Sequence, residues 1–236
     1  MNKKIHFLFD VDGTLTPSRL PIDPKFKTFF LTWMKDKSVY LITGSDKDKT
    51  IEQIGIEIWE NVTRAYQSCG NQVWEKGNLI SEKPFPLSKE LNSFFQNILT
   101  NTKWEEKYGN HIEERVGLIN FSTIGRNCPQ IEREKYYKWD NIAREREIIC
   151  KKLMEKFPEI EASVGGQISI DVHPKGANKS QILNDLSGEI YFFGDKTEKG
   201  GNDYPIVEKL NKEKRKFKIF TVTDPEKTLE ILQKLN

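Results

Sequence analysis

Four short apolar runs decide what this chain can fold into. Ile5 to Phe9 runs into Asp10, Val39 to Ile42 into Thr43-Gly44-Ser45, Ile190 to Phe193 into Gly194-Asp195, and Phe217 to Val222 into Thr223-Asp224-Pro225. Short apolar runs without polar alternation suit strands buried on both faces, as in a parallel sheet covered by helices. Such sheets bind ligands beyond the carboxyl ends of their strands. Asp10, Thr43 and Asp195 are placed at such ends.

Helical patterns lie between the runs. Asp23-Pro24 supplies an N-cap and a proline at the first helical position. Phe26, Phe29, Phe30 and Trp33 then share one helical face, which reads as a core stripe rather than a cofactor-stacking surface. Asp46 to Ile54, Asn178 to Leu186 and Pro225 to Leu235 read as further helices, and the alternation of strand and helix predicts an α/β sheet. The middle differs. From about Glu82 to Gly176, polar helices such as Ala143 to Phe157 mix with half-exposed strands, Val116 to Phe121 and Gln167 to Val172. That pattern suits an antiparallel sheet with one open face. The expected organisation is a core domain of residues 1–81 and 177–236, interrupted by an inserted α+β domain over 82–176.

The Asp10-Val11-Asp12-Gly13-Thr14 segment carries the chemistry. Carboxylates two residues apart on extended backbone point the same way, so one can bind a cation and attack phosphorus while the other moves a proton. Gly13 permits a tight turn whose amides approach a phosphate. A calcium loop would need further ligands and a closing glutamate, which Leu15-Thr16-Pro17 does not supply. In the middle segment Arg115, Arg126 and Arg133, with Arg19 after the first motif, offer guanidinium forks for a second phosphate. Along Gln167 to Val172, strict alternation sends Ile168, Ile170 and Val172 to one face and Gln167, Ser169 and Asp171 to the other. That polar face can be simply solvated or can hydrogen-bond sugar hydroxyls.

Phe9 to Thr16 resembles the first motif of the haloacid-dehalogenase superfamily, with Thr43-Gly44-Ser45, Lys179 and the pair Gly194-Asp195-Lys196 and Gly201-Asn202-Asp203 resembling the other three. The resemblance implies a Rossmann-like core with an inserted cap. It makes Asp10 the nucleophile, Asp12 the general acid/base, and Thr43 or Ser45, with Lys179, the groups holding the transferring phosphoryl. Asp10, Asp12, Asp195 and Asp203 become the magnesium set. Ile124-Gly125-Arg126, Gly165 to Val172, Pro174-Lys175-Gly176 and Phe192 to Asp203 narrow the resemblance to the eukaryotic-type phosphomannomutases. That family implies substrate binding by Arg19, Arg115, Arg126, Arg133, Ser169 and Asp171. It also implies a hexose monophosphate substrate, mannose 1,6- or glucose 1,6-bisphosphate as activator, and a homodimer through the cap. The chain departs from the family pattern at Val116, Thr123, His173, Ala177 and Asn178. A sugar-phosphate phosphatase and a non-catalytic phosphosugar-binding protein are the alternative readings.

Composition excludes other classes. Net charge is +2, a near balance that argues against a nucleic-acid binder. No run approaches the ~18 apolar residues of a membrane span, and the first apolar run is too short for a signal-peptide core, so a cytoplasmic protein is expected. The basic run Lys212 to Lys216 reads as a solvated turn or helix end. Cys69, Cys128 and Cys150, odd in number and far apart, suggest neither disulfides nor a zinc site.

Overall fold

The computed structural model describes residues 4–235. The chain divides into two compact units: Lys83–Gly176, and the flanking segments on either side of it. The first flank carries strands β1 (Ile5–Phe9), β2 (Ser38–Ile42), β3 (Arg64–Gln67), β4 (Gln72–Glu75) and β5 (Asn78–Glu82), with helices α1 (Pro24–Trp33), α2 (Lys47–Ile54) and α3 (Ile56–Asn61). The inserted unit holds α4 (Lys89–Asn101), β6 (Ile112–Arg115), β7 (Leu118–Phe121), α5 (Gln130–Ala143), α6 (Glu145–Lys156), β8 (Ile160–Gly165) and β9 (Ser169–Pro174). The last flank adds β10 (Glu189–Gly194), α7 (Tyr204–Lys212), β11 (Phe217–Thr221) and α8 (Pro225–Lys234).

The core sheet runs in the order β11-β10-β1-β2-β3-β4-β5. Its first five strands are parallel, and β4 and β5 add an antiparallel edge. β1, β2 and β10 are buried almost throughout, as their unbroken apolar runs require. On one face Phe9, Phe193 and Phe220 stack in turn across three strands, with centroids 4.7 and 4.5 Å apart. Helix α1 closes that face. Its Asp23 carboxylate accepts the Lys25 and Phe26 N–H groups, and Phe26, Phe30 and Trp33 pack into the core. The strand predicted from Phe217 to Val222 differs from expectation. β11 is the sheet edge, Lys218 and Thr221 are exposed, and the Lys218 ammonium lies over the Tyr191 ring. A charged edge residue discourages further strand pairing.

Asn178 to Leu186 does not form the expected α-helix. A 3-10 turn spans Lys179–Asn184. The Asn178 carboxamide oxygen accepts from both Ser180 N–H and Ser180 Oγ, which fixes a tight entry. The Arg215 guanidinium then donates to the Leu183 and Leu186 carbonyls at the exit. The carbonyls a longer helix would have paired internally are therefore satisfied from outside.

In the inserted unit the sheet order is β6-β7-β9-β8, all antiparallel. Ile119, Phe121, Ile170 and Val172 face a core completed by Leu91 and Phe95 of α4 and Leu153 of α6. Two predicted strands are shorter than expected. Val116 lies in the β6–β7 turn beside Gly117 at φ 70°. Ile168 precedes β9 and packs with Ile124, Cys128 and Tyr136 in a separate cluster. The predicted helix from Ala143 to Phe157 begins only at Glu145, because Arg144 turns left-handed between α5 and α6.

A buried ion pair sets that corner. Arg146 Nε lies 2.7 Å from Asp140 Oδ2, and Asp140 Oδ1 accepts the Arg146 N–H. Arg146 Nη1 also donates to the Gly166 and Ser169 carbonyls, so the pair fixes the turn that leads into β9. Removing one partner leaves an uncompensated buried charge. Asp140→Ala should destabilise the unit by about 3–5 kcal/mol, measured by urea unfolding, whereas Glu147→Ala at the exposed Arg144–Glu147 pair should cost under about 1 kcal/mol.

Candidate functional site

Asp10 leaves the end of β1 flanked by β2 and β10, and its N–H is anchored on the Phe193 carbonyl. The 3-10 turn brings Lys179 to the same point from the other end of the chain. Lys179 Nζ lies 2.6 Å from Asp10 Oδ1 and 2.7 Å from Asp203 Oδ1, and all three residues are at most 2% exposed. Asp203 is fixed further by the Lys196 N–H. The loop can bring Asp203 in because Gly194 has no side chain: a Cβ there would sit 2.5 Å from Asp203 Oδ2.

One ammonium serves two carboxylates, so the group as a whole holds protons tightly. Burial raises the Asp10 carboxyl to about 7, with the Asp203 charge pushing the same way against Lys179. Burial disfavours the Lys179 charge, but Asp10 and Asp203 outweigh it and keep the ammonium protonated.

Asp195 completes an acidic group. Oxygens of Asp10, Asp195 and Asp203 lie within 4.8 Å of one another. Asp195 Oδ1 is buried without a hydrogen-bond partner, and such an atom needs one. A Cβ on Gly13 would lie 2.5 Å from Asp195 Oδ2, so the glycine keeps this space open. An all-oxygen carboxylate set suits a hard cation such as magnesium, and the residues fit one.

The Asp12 carboxylate is outside that group, although the sequence reading includes it among the metal ligands. Its Oδ1 accepts the Arg19 N–H at 2.7 Å and Gln53 Nε2 at 2.9 Å, and Lys49 Nζ lies 3.6 Å from Oδ2. Burial pushes this carboxyl up, but those partners outweigh it and hold it below the usual range. Lys49 also donates to Ser45 Oγ, and Thr43 Oγ1 accepts the Ser45 N–H. Lys49 and Gln53 were missed by sequence reasoning. Both lie on α2 at one-turn spacing, so they share a face that looks to Asp12.

In the inserted unit Arg126 gathers several predicted residues. Its Nη1 donates to Asn120 Oδ1 and Ser169 Oγ, and Asn120 Nδ2 donates to Asp171 Oδ1. Glu113 Oε2 accepts from Arg126 Nε at 2.6 Å and Arg115 Nη2 at 2.9 Å. Asn120 and Glu113 were also missed; Asn120, inside a predicted strand, and Glu113, two residues before Arg115, carried no signal of their own. Arg133, in the first turn of α5, and the side chain of Arg19 make no ion pair among the described residues.

The family model described as eukaryotic phosphomannomutase matches residues 26–236. The chain belongs to this family. A phosphomannomutase of Dendrobium officinale is 39% identical over 94% of this chain and 90% of its own length. The Arabidopsis thaliana phosphomannomutase is 38% identical over 85% and 86%. Among solved structures, Aspergillus fumigatus trehalose-6-phosphate phosphatase aligns over 98% of this chain and 92% of its own, with TM-score 0.68 and 18% identity. A haloacid dehalogenase-like hydrolase from Bacteroides thetaiotaomicron aligns over 99% of both chains, with TM-score 0.65 and 12% identity. These two likenesses establish the fold, a haloacid-dehalogenase-like α/β core with a cap. The departures from the eukaryotic phosphomannomutase pattern lie in turns and supports: Asn178 caps the Lys179 turn, and His173 is half-buried on β9 beside Glu161. Among the described residues no helix is long and apolar enough to cross a membrane, and Cys128 and Cys150 are buried thiols.

A cation entering the acidic group must displace the Asp10 proton below pH 7. Magnesium affinity, measured by calorimetry, should therefore fall about tenfold between pH 8 and pH 6. Asp195→Asn should weaken binding at both values. Equal affinity at the two pH values would contradict this assignment.

Proposed function

We propose that the chain interconverts mannose 6-phosphate and mannose 1-phosphate through an aspartyl-phosphate on Asp10. The observation that carries this reading is Lys179 set between Asp10 and Asp203, beside the unpartnered Asp195 oxygen, in a chain of the eukaryotic phosphomannomutase family. Its relatives' names supply the sugar.

Asp10, Asp195 and Asp203 would hold magnesium, which offsets the repulsion between a carboxylate and a phosphate dianion. Asp10 takes a phosphoryl group from a hexose 1,6-bisphosphate, with Lys179 neutralising charge on the transferring oxygens. Ser45 is the hydroxyl assigned to the phosphoryl group: each of the two oxygens accepts one hydrogen bond, but Ser45 is half-buried and reachable whereas Thr43 is 1% exposed. Asp12, held by Gln53 and the Arg19 amide, removes the proton from the C1 hydroxyl of mannose 6-phosphate, and the sugar oxygen takes the phosphoryl group from Asp10. The bisphosphate so formed turns round, and Asp10 recovers the other phosphoryl group.

The phosphate not undergoing transfer belongs on Arg115 and Arg126, with Arg19 and Arg133 as further cations and Ser169 and Asp171 on sugar hydroxyls. The half-buried polar face of the inserted sheet favours a mutase over a phosphatase, since a mutase must bind the end of the sugar that does not react. A homodimer through the inserted unit and a cytoplasmic location go with this reading.

The decisive assay follows mannose 1-phosphate with magnesium and glucose 1,6-bisphosphate, recording free phosphate in the same tube. Bisphosphate-dependent isomerisation with little free phosphate is expected; free phosphate without isomerisation would replace the mutase by a phosphatase. In that assay Ser45→Ala should lower kcat about 100-fold and Thr43→Val less, and the reverse order would move the hydroxyl role to Thr43.

A further inference from the structure

The inserted sheet places a carboxylate where an open phosphate site would have none. Cross-strand pairing sets Glu113 opposite Asn120, Asn120 opposite Asp171, and Asp171 opposite Ser163, so one row of polar residues crosses all four strands. The alternating neighbours Ile119, Phe121, Ile170 and Val172 enter the core, so this row lies on the other face of the sheet. Arg126 reaches onto the row through Asn120 and Ser169. Glu113 Oε2 then occupies Arg126 Nε and Arg115 Nη2 at 2.6 and 2.9 Å. One carboxylate oxygen thus sits on both guanidinium groups, in the manner of a phosphate oxygen.

The local charge count is two guanidinium groups against two carboxylates, Glu113 and Asp171. A site built only to retain a phosphate dianion would leave both forks open and the balance positive. Here an incoming phosphate must compete with a tethered anion that cannot diffuse away. The sheet backbone on which Glu113 stands is itself fixed, with β6 paired along its whole length to β7, so the carboxylate returns to the forks whenever a phosphate leaves.

We propose that Glu113 is a built-in counter-anion of Arg115 and Arg126: it keeps both guanidinium groups set for an oxyanion and limits phosphate affinity so that a bisphosphorylated sugar can let go and turn round. The inference rests on the proposed function, in which the unreacting phosphate is held by these arginines and both phosphates must visit that position in each turnover. An intermediate held too tightly by one phosphate would stall. Glu113 acts through the arginines and is a positioning residue.

Glu113→Gln removes the charge and keeps the shape. In the full-length protein with magnesium, calorimetric binding of mannose 6-phosphate should tighten about tenfold, and its salt dependence should steepen, because two guanidinium charges then face the ligand with only Asp171 left against them. In the bisphosphate-supported assay kcat and KM should fall together several-fold. Weaker binding, or binding and turnover unchanged in a variant of unaltered melting temperature, would overturn the proposal. Glu113→Asp, whose shorter side chain keeps the charge, should bind less tightly than Glu113→Gln; equal tightening in both would show that charge is not the cause and would likewise overturn it. Arg126→Ala separates this inference from the reading beneath it. If Arg126→Ala binds mannose 6-phosphate as well as the unmodified chain, the phosphate is not held here and both readings fall. If Arg126→Ala binds weakly while Glu113→Gln does not bind more tightly, the counter-anion proposal falls alone.

Discussion

The core depends on one ammonium. Lys179 carries a charge that burial opposes, and it is kept charged only because Asp10 and Asp203 stand within 2.7 Å. Each carboxylate in turn is tolerable out of water only because Lys179 is there. The three come from separate parts of the sequence: the end of β1, the 3-10 turn after the inserted unit, and the loop before α7. Their mutual need therefore ties together the two flanks that the insertion separates. The excess of one negative charge suits the group to a cation, and the orphaned Asp195 oxygen stands beside it.

Around this centre the supports divide the labour of two similar carboxylates. Asp10 is dry and shares a lysine, so its proton is held to about pH 7. Asp12 accepts from the Arg19 amide and Gln53, which favour its charged form. Asp12, already charged, can accept a proton, whereas Asp10 must first give up its own, as cation binding would require, before its oxygen can attack phosphorus. The Asp-x-Asp spacing alone permits that division; the partners on α2 and the turn at Arg19 create it.

The legible parts of the sequence were those in which a local pattern has one physical solution. Unbroken apolar runs at β1, β2 and β10 could only be covered strands, and Asp23-Pro24 followed by an aromatic stripe could only open an amphipathic helix. The reading failed where tertiary partners override local preference. Lys179 to Asn184 is a 3-10 turn because Arg215, far along the chain, satisfies its exit carbonyls. The helix predicted from Ala143 was delayed by a turn whose geometry is set by the buried Asp140–Arg146 pair. β11 lies at an edge that periodicity does not reveal. Gln53, Lys49, Asn120 and Glu113 stayed invisible for a related reason: a polar residue on a helix face or an alternating strand looks solvated until its partner across the fold is known.

The central claim is that Asp10 is the group that becomes phosphorylated. Incubating the protein with magnesium and phosphate-labelled glucose 1,6-bisphosphate, quenching in acid and mapping the labelled peptide tests it directly. The account predicts label on the peptide containing Asp10, discharged by adding mannose 6-phosphate, and no label in Asp10→Asn. Label on another residue, or isomerisation that proceeds with Asp10 never carrying phosphate, would contradict it.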